Sequence, residues 1–89
     1  MAWKIEFSEP ADRQLNRLDP QESRRILKFL LGRVAKLEDP RSVGKPLQGP
    51  HFGELWRYRV GEFRIICKLR DEVFVVLVVQ IGPRKDIYR

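Results

Sequence analysis

Apolar and polar residues alternate over Trp3-Lys4-Ile5-Glu6-Phe7, the period-two pattern of a short half-buried strand. Ser8 then reads as a helix N-cap with Pro10 in the first turn, and Ala11, Leu15 and Leu18 recur at helical spacing. Asp19-Pro20-Gln21-Glu22 restarts the pattern with a cap, a first-turn proline and a carboxylate three residues after the cap. Ile26, Phe29, Leu30, Val34 and Leu37 form one apolar stripe, with Arg24, Arg25, Lys28 and Lys36 largely off it. Two helices with almost no linker are expected to pack as an antiparallel hairpin. From about Glu38 to Gly53, the residues Pro40, Gly44, Pro46, Gly49, Pro50 and Gly53 mark an irregular connection.

The remainder reads as strand. Leu55–Val60 and Phe63–Arg70 flank Gly61-Glu62, a pair suited to a type II′ hairpin turn with glycine first. Asp71-Glu72 separates the second strand from Val73–Ile81, whose nearly unbroken apolar run predicts a central strand covered on both faces. The order β-α-α-β-β-β predicts an α+β fold: a twisted, mainly antiparallel sheet with the helical hairpin on one face, in a single domain over residues 1–89.

The two-residue turn also predicts the hairpin register. Val60 pairs with Phe63, Arg59 with Arg64, Tyr58 with Ile65, Arg57 with Ile66, Trp56 with Cys67 and Leu55 with Lys68. Because side chains alternate, Trp56, Tyr58, Val60, Phe63, Ile65 and Cys67 fall on an apolar face for the helices. Leu55, Arg57, Arg59, Arg64, Ile66 and Lys68 fall on the other, which carries four cations on two strands. Like charges directly opposite destabilise a sheet, so Arg59 against Arg64 calls for a carboxylate or a bound anion between them. Guanidinium forks match phosphate oxygens, which makes this face a candidate phosphate floor. The plain alternative is a solvated basic surface.

Charge placement favours the phosphate reading. The 89 residues hold 18 Lys+Arg against 12 Asp+Glu, a net of +6. Residues 1–40 hold eight basic and seven acidic residues, a net of +1; residues 41–89 hold ten and five, a net of +5. A balanced half is thus followed by a basic half, which suits a polyanion. The length excludes a multidomain enzyme. A lone cysteine, Cys67, excludes a disulfide framework and a cysteine-based zinc site and fits a reducing compartment. The opening residues do not read as a signal peptide, and no apolar run reaches membrane-spanning length.

The familiar catalytic constellations are missing. His51 is the only histidine and sits in the Gly/Pro loop, so a two-histidine nuclease site is excluded. Cys67 falls on the apolar face and reads as a packed thiol. There is no Walker loop, dinucleotide fingerprint or carboxylate cluster spaced for magnesium. Trp56 and Tyr58 read as core aromatics rather than base-stacking platforms. What remains is catalysis by positive charge with a hydroxyl: RNA carries its own nucleophile, the 2′-hydroxyl, and phosphoryl transfer runs largely on positioning and charge stabilisation.

With these features assembled, the chain resembles the RelE toxins of bacterial type II toxin–antitoxin modules, within the wider RelE/ParE superfamily. The opening Trp3-Lys4-Ile5-Glu6-Phe7-Ser8 and the loop Gly44-Lys45-Pro46-Leu47-Gln48-Gly49 are similar to the family's first strand and pre-hairpin link. The most specific matches are Leu55-Trp56-Arg57-Tyr58-Arg59-Val60-Gly61-Glu62-Phe63-Arg64-Ile65-Ile66 and Ile81-Gly82-Pro83-Arg84-Lys85-Asp86-Ile87-Tyr88-Arg89. The resemblance implies a microbial-ribonuclease-like fold and cytoplasmic, cofactor-free and metal-independent cleavage of mRNA in the ribosomal A site. The implied partners are mRNA and ribosomal RNA, a RelB-like antitoxin that wraps the toxin, and operator DNA reached only through that antitoxin; no membrane is implied.

Carried over by position, Arg57 falls on the family's catalytic strand and Arg64 matches the arginine that contacts the scissile phosphate. Arg84 matches the arginine of the C-terminal motif, and Tyr88 the terminal tyrosine that stacks on or protonates near the cut. Arg84 and Tyr88 lie four apart, on one side of a turn or short helix. Arg59, Lys45 and Lys85 are expected to bind RNA phosphates. Leu55 departs from the family where its best-known members place a lysine used in base catalysis. Gln48 replaces a loop arginine, and Pro83 replaces a histidine common among relatives. Lys68, directly opposite Leu55, is the candidate replacement base, since its ammonium could reach the place that Leu55 vacates. Two other readings stay open: a ParE-like toxin that poisons DNA gyrase without hydrolysis, and a weakened relative that acts only as its antitoxin's partner in repression.

Overall fold

The computed structural model describes residues 2–47 and 54–83. Strand β1 (Lys4–Phe7) leads into helices α1 (Glu9–Arg17) and α2 (Pro20–Gly32). Strands β2 (Lys45–Pro46), β3 (Leu55–Val60), β4 (Phe63–Arg70) and β5 (Val75–Pro83) follow. The sheet order is β1-β5-β4-β3-β2, with β1 parallel to β5 and the other neighbours antiparallel. This is the predicted α+β arrangement with one strand more, since β2 lies inside the stretch read as irregular.

The α1 cap forms as predicted, with the Ala11 N–H donating to Ser8 Oγ at 3.2 Å. The box expected at Asp19 does not form: the Asp19 side chain makes no capping bond, and Glu22 turns to Arg25 at 4.0 Å. Ser23 Oγ instead donates to the Leu15 carbonyl at 2.7 Å and stitches the two helices together. Helix α2 also ends before the predicted stripe does. After Gly32 the chain tightens into a 3-10 turn at Val34–Lys36, held to the sheet by Trp3 N–H donating to the Ala35 carbonyl at 2.8 Å. Val34 is still buried, but from the turn rather than from the helix.

One core joins the layers: Ala11, Leu15, Ile26, Leu30 and Val34 pack on Tyr58, Val60, Ile65, Cys67, Leu69, Val76, Val78 and Ile81. All six predicted hairpin pairs are present, from Leu55 opposite Lys68 to Val60 opposite Phe63. Gly61 takes a φ of +59° while Glu62 stays negative, as a type II′ turn requires.

Strand β5 starts two residues later than predicted. Asp71–Val73 forms a 3-10 turn, and Phe74 adopts left-handed φ 54°, ψ 48°. Its carbonyl accepts Lys4 N–H at 2.9 Å, and its ring meets Trp3 edge-on at 5.4 Å. Those contacts hold a conformation that costs a non-glycine residue roughly 1–3 kcal/mol. A bulge then shifts the register so that Ile66 faces Gln80 while Cys67 faces Val78, leaving Val79 as the extra residue. Val76, Val78 and Ile81 therefore share the helix-facing side despite their uneven spacing. The opposite face has a smaller apolar cluster of Leu47 and Ile66 with Leu55 and Val79. No helix among the described residues is long and apolar enough to cross a membrane.

Candidate functional site

The helix-free face of the hairpin begins the site. Arg59 and Arg64 stand directly opposite, Arg57 is two residues from Arg59 on β3, and Lys68 faces Leu55 at the other end. Arg64 is 5% exposed, Arg57 half-buried, and Arg59 and Lys68 exposed.

Strand β2 adds a fifth cation. Lys45 pairs with Arg57, and Pro46 with Trp56. The close approach depends on Gly44, whose φ is +80°; a Cβ there would meet the Arg57 carbonyl oxygen and lie 2.6 Å from Trp56 Nε1. Three aromatic donors pin the preceding loop. Trp3 Nε1 donates to the Glu38 carbonyl at 3.1 Å, Tyr58 OH to Pro40 at 2.7 Å, and Trp56 Nε1 to Val43 at 2.8 Å. Arg41 completes the attachment with two 2.9 Å bonds to the Asp71 carboxylate across the β4–β5 turn.

A cavity of ≈ 350 Å³ opens between this loop, the hairpin and the end of α2. Lys45, Arg57, Arg59 and Arg64 line it with Arg33, Phe29, Val43, Gly44 and Tyr58. Five of these nine residues are cationic, and among the described residues that line it none is acidic. Glu9, Glu22, Glu72 and Asp71 engage Arg13, Arg25, Arg70 and Arg41, all outside the cavity. The arrangement concentrates positive potential in a concave space, which is what a phosphodiester requires.

The aromatic and thiol groups beside the cavity are structural, as expected. Tyr58 is 1% exposed, its hydroxyl is committed to Pro40, and burial pushes its phenol well above the ordinary range. Burial raises the Cys67 thiol in the same way, so it stays protonated. Among the described residues no group of three or more His, Cys, Asp or Glu side chains is placed to hold a metal ion.

Of the residues singled out from sequence, Lys45, Arg57, Arg59 and Arg64 converge in the cavity. Lys68 shares the sheet face but does not line the cavity. Arg84, Lys85 and Tyr88, together with His51 and Gln48, lie outside the described residues. Sequence reasoning missed Arg33 and took Phe29 only as core. The available signal was their i,i+4 spacing, which makes the two neighbours at the end of α2 but does not say what they face.

Residues 5–88 match the family described as the ParE toxin of type II toxin–antitoxin system, parDE. Toxin RelG of Mycobacterium tuberculosis is 30% identical over 89 residues, covering 100% of this chain and 99% of that protein. In the RelBE2 toxin–antitoxin complex of Mycobacterium tuberculosis, a chain 27% identical superposes with a TM-score of 0.83, covering 97% of this chain and 95% of that one. A free-state variant of Escherichia coli toxin RelE shares the fold at 23% identity and a TM-score of 0.78, over 98% of this chain and 90% of its own. The chain belongs to the RelE/ParE superfamily of type II toxin–antitoxin toxins.

Proposed function

We propose that this toxin is a metal-independent endoribonuclease that cleaves mRNA in the ribosomal A site and thereby stops translation. The observation that carries the reading is the cavity in which Lys45, Arg57, Arg59 and Arg64 meet, with no acidic side chain among the described residues that line it. A gyrase-binding surface does not require such a pocket, whereas a transition state that gathers charge on phosphoryl oxygens does. In this mechanism the RNA 2′-oxygen attacks the adjacent phosphorus as its proton passes to a base. The new O2′–P bond replaces the P–O5′ bond, leaving a 2′,3′-cyclic phosphate and, once the leaving oxygen is protonated, a 5′-hydroxyl.

Arg57 and Arg64 stabilise the phosphoryl charge, while Arg59, Lys45 and Lys85 hold the strand. Arg84 and Tyr88 serve the leaving-group side. Lys68 is the base; in the register it is a diagonal neighbour of Arg57, about 7–8 Å away on the same face. The toxin acts in the cytoplasm against ribosome-bound mRNA. A RelB-like antitoxin neutralises it and carries it to operator DNA.

One observation favours a second reading: the matching family is described as ParE, which suits a gyrase poison. Induced expression followed by mapping of mRNA 5′ ends separates the two. Cuts inside codons on translating ribosomes are expected, and Lys68→Met is expected to abolish them while thermal unfolding stays unchanged, because Lys68 is exposed. Intact mRNA with accumulated gyrase–DNA cleavage complexes would establish the second reading. Harmless expression would leave only the repressor role. Full cleavage by Lys68→Met would remove Lys68 from the mechanism.

A further inference from the structure

The cavity is larger than one phosphate needs. At ≈ 350 Å³ it reaches the range of whole small-ligand pockets, about 300–1,000 Å³. Its cations come from both layers: Arg57, Arg59 and Arg64 from the hairpin and Lys45 from β2, with Arg33 from the end of α2. Arg33 is where the helix stops. Its backbone leaves helical geometry at φ −120°, ψ −62°, and its N–H closes on the Phe29 carbonyl at 3.0 Å.

A helix C-terminus favours a cation, which accounts for the sign of Arg33 but not for its place in the cavity wall. Among the described residues no carboxylate or carbonyl holds its guanidinium. Phe29 and Val43 add apolar wall to the same space.

We infer that Arg33 is a substrate-binding residue that takes the phosphate next along the RNA strand from the one held at Arg57 and Arg64. Every nucleotide of a strand carries a phosphate, so cations on two walls of one cavity fit two successive phosphates. The intervening nucleoside then lies against Phe29 and Val43. The inference rests on the cavity being an RNA site, and not on whether the RNA is cut there.

The test is equilibrium binding of the whole toxin to a short single-stranded 2′-O-methyl RNA, which lacks the attacking hydroxyl, over a series of salt concentrations. Arg33→Ala is expected to weaken binding about tenfold. It is also expected to reduce the slope of log K against log salt by about 0.7, the loss of one single-strand phosphate contact. Arg33→Lys should restore the slope. Lys28→Ala removes the same charge from an exposed α2 position outside the cavity and should leave the slope as it was. An unchanged slope in Arg33→Ala, an equal loss in Lys28→Ala, or no binding by the unmodified toxin overturns the inference. Wild-type binding with the expected Arg33 effect but no codon-internal cuts in cells would overturn the nuclease reading alone.

Discussion

Arg59 shows how a single residue can serve function against stability. It is an exposed residue that faces Arg64, itself 5% exposed, across the hairpin, and no carboxylate is among the described residues lining the cavity they share. Cross-strand pairs are worth roughly 0.2–1 kcal/mol, and like charges lie on the unfavourable side. Arg59→Gln is therefore expected to raise stability to urea by a few tenths of a kcal/mol, up to about 1. The same variant should bind single-stranded RNA more weakly. A variant that is both less stable and unchanged in binding would show Arg59 to be a structural residue. This opposition was legible in sequence, because a two-residue turn with glycine first leaves one register for the strands around it. Arg33 was not legible in the same way: nothing in a linear pattern shows that a helix terminus closes over the cationic end of a sheet.

Among the elements, β2 has the least sequence signal and the most consequence for the site. Two residues, one of them proline, offer no alternation to read, and proline is confined to edge strands because it donates no ladder bond. What makes the strand is Gly44, whose positive φ and close contact with β3 bring Lys45 opposite Arg57. Gly44→Ala is expected to cost about 2 kcal/mol or more, from the left-handed backbone and from displacing Trp56 or the Arg57 carbonyl. Urea unfolding measures this, and RNA affinity should fall with it as Lys45 moves. Stability equal to wild type would mean that β2 is free to shift. The late start of β5 has a similar origin. Val73 and Phe74 are apolar and pattern as strand, but the ring of Phe74 is used against Trp3 and its carbonyl against Lys4 in a tight turn. Periodicity reports burial, and both a strand and a packed turn bury apolar side chains. The helical stripe failed at Val34 for the same reason.

At the scale of the whole molecule, a chain of net charge +6 keeps five cations, among the described residues, around one cavity and must hold itself together against that repulsion. The superfamily was legible because its distinguishing residues lie in order along the hairpin and tail, whereas the choice between cutting RNA and binding gyrase depends on how they meet in space. The loop that delivers Lys45 is tied down by Arg41 on Asp71, which links the crossover to the β4–β5 turn. Hydrogen bonding to Arg41 holds the Asp71 carboxyl below its usual value. A carboxylate depressed in the folded state binds fewer protons there than in the unfolded chain, so stability rises with pH across its titration. The contribution is fully present above the unfolded value, about 3.9, and is lost as pH falls through the lower folded value. Because both side chains are substantially exposed, the pair is worth at most about 1 kcal/mol. Asp71→Asn is accordingly expected to be slightly less stable than wild type at pH 7, with the two converging below about pH 4. Urea midpoints measured from neutral to acid pH give the comparison. A constant gap across that range would mean that the variant's loss comes from packing at the turn and not from the ion pair.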